Sequence, residues 1–194
     1  MRHSLSMGRS PHVDRGRAAD RGRALDWNRG ELIDGSQSAS ESASADGCPQ
    51  LIDLDVSAKD KHELFRIAVE MLQRAYGVDP ALILRALWRR EEAGSTGLGR
   101  GVAIPHARVS GISAPLTMLL RLRAPIAFDA PDGKPVSVAL VIIVPADGAT
   151  EQHLQLLARF ASLCTDRKFR TRLMEAPAAE EVRHAFVGSG AAPD

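Results

Sequence analysis

Residues 97–108 combine a glycine-rich loop with a histidine that could act as a nucleophile. The loop alternates glycine with other residues (Gly97, Gly99, Gly101), and a short apolar run then leads into Pro105 and His106. A histidine fixed by a preceding proline, at the end of an apolar strand, is well placed to be exposed. The loop beside it opens a surface that could receive an anion. This combination points to covalent chemistry on an anionic group.

Histidine suits phosphoryl chemistry in particular. Its imidazole titrates near pH 6.5, so a nucleophilic ring nitrogen is available at neutral pH. It can form a covalent intermediate without a second residue to deprotonate it. The rest of the task is to position two partners and to neutralise three phosphoryl oxygens. Glycines permit positive φ and close backbone approach, so the loop's N–H groups could point at the phosphate.

Two well-known phosphate loops do not fit this segment. A Walker A loop needs Gly-Lys-Ser/Thr after its spacer, and no such triplet follows. A dinucleotide fingerprint needs Gly-x-Gly-x-x-Gly, but Val102 and Ile104 stand where its third glycine would fall. On spacing alone, a glycine-rich turn before a buried strand, with an incidental histidine, remains the structural alternative.

Arg90 is the first candidate partner of His106. It lies near the end of a predicted helix, in the run Trp88-Arg89-Arg90-Glu91-Glu92. A planar fork of donors suits a phosphoryl group better than a lysine does. The alternative is a solvated cluster in which these arginines and glutamates pair with one another along the helix. Arg89 is the other candidate for the phosphate contact. Neighbouring helical side chains point about 100° apart, so only one of the two arginines is expected to face the histidine.

His153 is the second candidate. Thr150 is a plausible N-cap, which puts His153 in the first turn of a helix. Leu157 and Phe160 follow at i+4 and i+7, so the histidine lies on or beside the inward stripe. Unpaired N–H groups at a helix N-terminus favour anions. The alternative is a core histidine that hydrogen-bonds to backbone.

The string from Thr96 to His106 resembles the active-site signature of the mannitol/fructose-type IIA proteins of the bacterial phosphoenolpyruvate-dependent phosphotransferase system. That motif reads roughly Gly-x-Gly-x-Gly-x-Ala-x-Pro-His, and the resemblance covers about residues 50–188. It implies that His106 carries a phosphoryl group, that Arg90 contacts the phosphate and that His153 faces the phosphorylated ring. It also implies phosphate binding by the loop (Thr96, Gly97, Gly99, Gly101). No metal or organic cofactor is expected.

The resemblance implies a phosphotransferase whose donor is a small, histidine-phosphorylated carrier protein (HPr-like). The loop and the segment 125–133 look more like the nitrogen-regulatory branch, which reports phosphorylation state to nitrogen and potassium metabolism. Its expected partners are a nitrogen-specific carrier paralogue and targets such as potassium transport proteins or sensor kinases. Two alternatives stay open: a stand-alone sugar-specific IIA that passes the group to a IIB component, and a non-catalytic binding module of the same fold.

The elements that must position these residues form an α/β domain over residues 49–188. Two helices are predicted first, one beginning at 57–60 and ending at Gly77, the next capped by Asp79-Pro80. Four strands and a turn follow (102–104, 116–121, 126–128 and 136–144, with the turn at 131–133), and three helices close the domain (about 151–164, 166–175 and 178–187). The pattern predicts helices flanking a mixed sheet, and the resemblance implies that the sheet has five strands.

The first 48 residues differ in composition. They contain seven arginines and no lysine, with many Ser, Ala and Gly and few apolar residues. Such a segment cannot bury enough surface to offset its ordering entropy, so a disordered, low-complexity tail is predicted. An Arg-Gly segment that touches RNA or membrane is the functional alternative, and a natural start further along the chain is another. A flexible C-terminus is predicted for residues 189–194.

Composition excludes several classes of function. The formal net charge is +1 over 194 residues, which gives no support to nucleic-acid binding by charge. The only cysteines, Cys48 and Cys164, lie far apart, which fits a reducing cytosol rather than a disulfide scaffold. No stretch approaches the length of a membrane span, and the start of the chain lacks a secretory h-region. A cytoplasmic protein without membrane insertion is therefore expected.

Overall fold

The computed structural model describes the secondary structure of residues 23–26, 31–34, 48–147 and 150–188, and the side chains of residues 48–147 and 154–188. Two short strands, β1 (Arg23–Asp26) and β2 (Glu31–Asp34), pair antiparallel. The disorder predicted for residues 1–48 otherwise falls almost wholly outside the described residues, as does the predicted flexible C-terminus. Both stay predictions.

The described part of residues 37–194 contains six strands and five helices. The strands are β3 (Leu51–Val56), β4 (Gly97–Gly99), β5 (Val102–Ala103), β6 (His106–Val109), β7 (Leu116–Ile126) and β8 (Val136–Pro145). The helices are α1 (Lys61–Tyr76), α2 (Pro80–Glu92), α3 (Thr150–Leu163), α4 (Arg167–Glu175) and α5 (Ala179–Gly188). All five helices match predicted ones in order and approximate extent.

The six strands form one mixed sheet in the order β3-β7-β8-β5-β4, with β6 also paired to β8. β5 and β6 follow the same side of β8 in parallel, with Val102 opposite Val138 and His106 opposite Ile142. They are one strand interrupted at Pro105, which has no N–H to add to the ladder. The sheet therefore has five strand positions. The predicted mixed five-stranded sheet flanked by helices is confirmed.

The helices cover both faces of the sheet and create two cores. Alternate residues of β8 point to opposite faces, as strand geometry requires. Leu140 and Ile142 join α3, α4 and α5 in one core, whereas Val141 and Ile143 join α1 and α2 in the other. The site lies where this sandwich positions the end of α2 beside the start of β6.

The helices begin and end where the sequence predicts. The carboxylate of Asp60 caps α1 by accepting the backbone N–H of Glu63 at 2.8 Å, and Gly77 ends the helix with a φ of 67°. Asp79 caps α2, with Pro80 as its first helical residue. Apolar periodicity and caps were sufficient for these predictions because both are local signals.

The strands differ from prediction in several places. β3, β4 and β6 were not predicted, and one strand, β7, stands where two were expected. The pairing of β7 with β8 is irregular between Arg121 and Ile126, and residues 123–125 between them are exposed. The predicted turn is confirmed, since the N–H of Gly133 donates to the carbonyl of Ala130 at 2.9 Å. Among the described helices, none is long and apolar enough to cross a membrane.

Candidate active site

His106 is the first residue of β6 and sits half-buried at the break in the interrupted strand. The strand is anchored on both sides of it. Ile104 is buried in one core and Ala107 in the other, and the carbonyl of Pro105 accepts the N–H of Ile142 at 2.9 Å. The backbone that carries the imidazole is therefore fixed by packing on both faces of the sheet.

Both ring nitrogens of His106 have hydrogen-bond partners. Nδ1 lies 2.8 Å from the carbonyl oxygen of Ile104, and Nε2 accepts from Nε of Arg90 at 2.9 Å. A carbonyl oxygen only accepts and an arginine only donates. The proton must therefore be on Nδ1, and the lone pair on Nε2.

The environment keeps this ring neutral. Burial is the largest cause of a lowered pKa of His106, and the positive charge of Arg90 lowers it further. The hydrogen bond to Ile104 and the charge of Glu91 act in the opposite direction but do not outweigh the first two. The pKa lies below its ordinary value of 6.5, so the ring is a neutral nucleophile at pH 7.

Arg90 reaches His106 from the last turn of α2. Its Nη1 donates to the carbonyl of Gly94 at 2.8 Å, which holds the guanidinium by its far end. Arg89, the rival in the sequence, is exposed, whereas Arg90 is half-buried. The structure thus brings Arg90, and not Arg89, to the histidine.

Glu91 is a feature that sequence reasoning missed. It is only 6% exposed, and its carboxylate binds Nζ of Lys61 at 2.8 Å and the backbone N–H and hydroxyl of Thr96 at 3.0 and 2.5 Å. A signal was available: Glu91 follows the buried Ile83 and Leu87 at i+8 and i+4, on the inward stripe of α2. A charged residue in such a stripe needs a buried partner.

Thr96 and Gly97 lie near the site, but each has a structural role that does not involve a phosphate. Both donors of Thr96 bind Glu91, rather than pointing toward His106. At Gly97, an added Cβ would lie 2.9 Å from the backbone of Ala130. Close packing therefore explains the glycine there without any ligand.

Gly99 and Gly101 are not brought to His106. They flank and form the tight turn between β4 and β5, where Arg100 and Gly101 have φ of 57° and 82°, the positive values that a type I′ hairpin needs. The carbonyl of Gly101 accepts from residues 137 and 138, while His106 pairs with Ile142. That four-residue offset along β8 amounts to about 13 Å. The turn accounts for the backbone shape of both glycines, and their expected part in phosphate binding stays a prediction.

His153 lies in the first turn of α3, the helix that follows the carboxyl end of β8. Its side chain is outside the described residues, so its proposed place opposite His106 stays a prediction. Within the part of the chain whose side chains are described, no group of three or more His, Cys, Asp or Glu residues could hold a metal ion.

Comparison with known proteins gives a family for residues 49–187. They match the family described as "Phosphoenolpyruvate-dependent sugar phosphotransferase system, EIIA 2". This stretch covers the whole sheet and all but the last residue of α5, and it includes His106 and Arg90.

Individual relatives agree with that family. A nitrogen regulatory protein of Pseudomonas aeruginosa is 43% identical over 127 residues, which cover 66% of this chain and 82% of the relative. The crystal structure of the nitrogen regulatory protein IIA-Ntr from Neisseria meningitidis is 41% identical, with a TM-score of 0.67 over 70% of this chain and 92% of that one. A fructose-specific EIIA component of Haloferax volcanii is 33% identical over 135 residues, 69% of this chain and 87% of the relative.

Proposed function

The chain belongs to the EIIA type-2 family of the phosphoenolpyruvate-dependent sugar phosphotransferase system, and we propose that Nε2 of His106 is its phosphoryl acceptor. Members of this family are phosphotransferases, and this chain is a phosphoryl carrier of that system. The observation that carries the assignment is the pair of ring contacts, which leaves the proton on Nδ1 and the lone pair on Nε2.

Transfer is an in-line displacement at phosphorus. The Nε2 lone pair of His106 forms the new N–P bond as the N–P bond of the donor's phosphohistidine breaks, and the donor ring nitrogen takes back the bonding electrons. The proton on Nδ1 stays in place, so the phosphorylated ring carries a positive charge. The carbonyl of Ile104, which accepts that N–H at 2.8 Å, stabilises the charged ring.

Arg90 has a second task in this step. In the resting site Nε of Arg90 donates a hydrogen bond to the Nε2 lone pair of His106. The guanidinium must therefore leave Nε2 and bind the incoming phosphoryl oxygens instead. Nη1 is held by Gly94, so a small pivot about that anchor presents the opposite edge of the fork, Nε and Nη2, to two oxygens. Bidentate binding of this kind is the strength of arginine at phosphate.

His153 is proposed to complete the clamp from the first turn of α3. The N-terminus of a helix offers unpaired N–H groups and a favourable dipole to an anion. A histidine there could add a donor to a phosphoryl oxygen on the side opposite Arg90. No metal or organic cofactor enters the proposal.

The nitrogen-regulatory role is proposed for the chain as a whole. Its support is that the relatives with 43% and 41% identity are nitrogen regulatory proteins, whereas the fructose-specific relative is 33% identical. The proposed donor is an HPr-like carrier of the nitrogen branch in the cytoplasm, and the proposed readers are potassium-transport proteins or sensor kinases. A sugar-specific IIA that passes the group to a IIB component is the competing role.

Phosphorylation in a purified system tests the chemistry. With phosphoenolpyruvate, the first enzyme of the system and its small carrier, the chain should gain one acid-labile phosphate. His106→Ala should remove it while circular dichroism shows an intact fold. His184→Ala is the matched control, because that side chain is 74% exposed on α5. Undiminished labelling of His106→Ala would refute the assignment.

The choice of donor and acceptor tests the role. The regulatory proposal expects faster labelling from the nitrogen-branch carrier than from the sugar-branch carrier, and no transfer to a purified IIB domain. Rapid transfer to IIB would instead support the sugar-specific role.

A further inference from the structure

Glu91 holds a buried carboxylate whose partners all come from other parts of the site. It accepts from Nζ of Lys61 at the start of α1 at 2.8 Å, and from the backbone N–H and hydroxyl of Thr96 at 3.0 and 2.5 Å. Such a group is costly to bury unless every oxygen is satisfied. Its negative charge acts on the ring through space by raising the pKa of His106, and its hydrogen bonds act on the orientation of the ring through its partners.

One path leads from Glu91 to the proton on Nδ1. The carboxylate holds Thr96 through both its backbone N–H and its hydroxyl, and the carbonyl of Thr96 accepts the N–H of Ile104 at 2.9 Å. The carbonyl of Ile104 then accepts Nδ1–H of His106 at 2.8 Å. Three consecutive hydrogen bonds therefore connect the carboxylate to one side of the imidazole.

A second path leads to the lone pair on Nε2. The bonds between Glu91 and Thr96 fold the segment between them back over the end of α2. The carbonyl of Gly94 in this segment binds Nη1 of Arg90 at 2.8 Å, and Nε of Arg90 donates to Nε2 of His106 at 2.9 Å. The same carboxylate thus fixes the loop on which the arginine depends.

The positive charge of Lys61 compensates the buried carboxylate of Glu91. Its ammonium forms an ion pair with Glu91 and a second one with Asp129 at 3.0 Å, and it lies 4.6 Å from the centre of the Phe128 ring. The lysine side chain is 14% exposed and that of Glu91 is 3% exposed. The pair is therefore part of the packed interior beside the site and cannot rearrange freely.

We propose that Glu91 is the positioning residue of this site: through Thr96 and the Gly94 carbonyl it aligns both groups that hold the His106 ring. This inference rests on the proposed phosphoryl acceptor, and adds that the tautomer and the arginine clamp are set together by one carboxylate. Glu91→Gln is the sharpest perturbation, because its amide keeps the shape but puts a donor against either Lys61 or Thr96.

The test measures the ring and the reaction separately. Long-range proton–nitrogen NMR on histidine-labelled protein reports which nitrogen of His106 carries the proton, with the signal assigned by its loss in His106→Gln. In the wild type we expect the proton on Nδ1. In Glu91→Gln we expect a mixture of tautomers and transfer from the phosphorylated carrier slowed by about 10- to 100-fold, the usual effect of losing such a supporting group. Glu92→Gln, at an exposed neighbouring position, should match the wild type in both.

A second pair of variants keeps the test decisive if Glu91→Gln does not fold. Thr96→Val removes only the hydroxyl bond, and Thr96→Ser retains it, so serine should restore tautomer and rate where valine impairs both. A folded Glu91→Gln with the wild-type tautomer and rate overturns the inference, as does equal behaviour of the valine and serine variants. If the wild type accepts no phosphate, the proposed function fails, while the tautomer comparison still decides the role of Glu91.

Discussion

Nε of Arg90 donates to Nε2 of His106 at 2.9 Å, so the resting site covers its proposed nucleophile with the group proposed to bind the phosphoryl oxygens. The contact keeps the lone pair oriented toward the arginine and, with the Nδ1 contact to Ile104, fixes a single tautomer. It also means that accepting a phosphoryl group requires the arginine to move. Arg90 is therefore expected to affect both the readiness of the ring and the stability of the transition state.

Arg90→Ala should slow transfer strongly. The variant loses a charge-assisted fork at an anionic transition state, by analogy a loss of about 2–4 kcal/mol. Arg89→Ala is the matched control, because it removes the same charge one position away, from an exposed side chain. Transfer kinetics on both folded variants measure the difference. If Arg89→Ala transferred the phosphoryl group slowly and Arg90→Ala at the wild-type rate, the phosphate contact would be assigned to the wrong arginine.

The sequence predicted the parts of the fold that depend on local signals. The cap at Asp79 and the apolar stripes indicated the helices, and the long apolar run indicated β8. β3 was missed because residues 51–56, Leu-Ile-Asp-Leu-Asp-Val, are mostly half-buried at the edge of the sheet. An edge strand is stabilised by pairing with β7 rather than by a strong pattern of its own.

At the site, residue type pointed to His106 and to one of the two neighbouring arginines, and the family resemblance selected Arg90, but neither indicated how these side chains are held. That information lies in contacts between segments distant in the chain, such as Lys61 with Glu91 and Thr96 with Ile104.

For the glycine-rich loop, the local sequence pattern fits two different structures. Their alternation suggested a phosphate cradle, yet a hairpin turn demands glycine just as strongly, and spacing alone does not separate the two.

The pH dependence of phosphoryl acceptance should reflect the lowered pKa of His106. Burial and Arg90 disfavour the charged ring, so the neutral nucleophile persists below the ordinary value of 6.5. We expect the rate of acceptance to reach half of its maximum only below pH 6.5. A variant with a less buried ring should lose rate at higher pH. A wild-type rate that already falls by half at pH 7 would contradict the lowered pKa.

The same shift should appear in stability. Below pH 6.5 His106 becomes protonated in the unfolded chain, whereas in the folded protein its lowered pKa keeps it neutral. The unfolded state then binds more protons than the folded state, so the free energy of unfolding decreases as the pH falls. This loss begins near 6.5 and ends once the pH is below the folded pKa. His106→Gln should lose less stability than the wild type over that window. Denaturant titrations of both proteins at pH 7.5 and 5.5 measure the difference.

The glycines of the hairpin should act on stability rather than on transfer. Gly101→Ala places a side chain at a φ of 82°, which costs about 1–2 kcal/mol. Gly97→Ala sets a Cβ 2.9 Å from the backbone of Ala130, and overpacking of this kind costs about 1–3 kcal/mol. Gly188→Ala, with open space around it, is the control. If Gly101→Ala left thermal stability unchanged but slowed transfer tenfold, the result would support binding of the phosphate by this loop.

His153→Ala should slow transfer between the carrier and His106 by a smaller factor than Arg90→Ala. The backbone N–H groups of the first turn of α3 remain in the variant and still favour the phosphoryl anion. Their direction cannot adapt as a side chain does, so the variant should accept phosphate nearly normally and return it to the carrier more slowly. His153→Gln, which keeps a donor without a titrating ring, should recover part of the return rate.

Forward and reverse rates on the two variants separate binding of the phosphoryl group from its release. A reverse rate impaired alike in alanine and glutamine variants would mean that the charge of the imidazole matters, and not only its hydrogen bond. Wild-type rates in both directions for His153→Ala would remove this residue from the clamp. The phosphoryl group would then be held by Arg90 and backbone groups alone, and the case for His106 would be unaffected, because it depends on the contacts of its own ring.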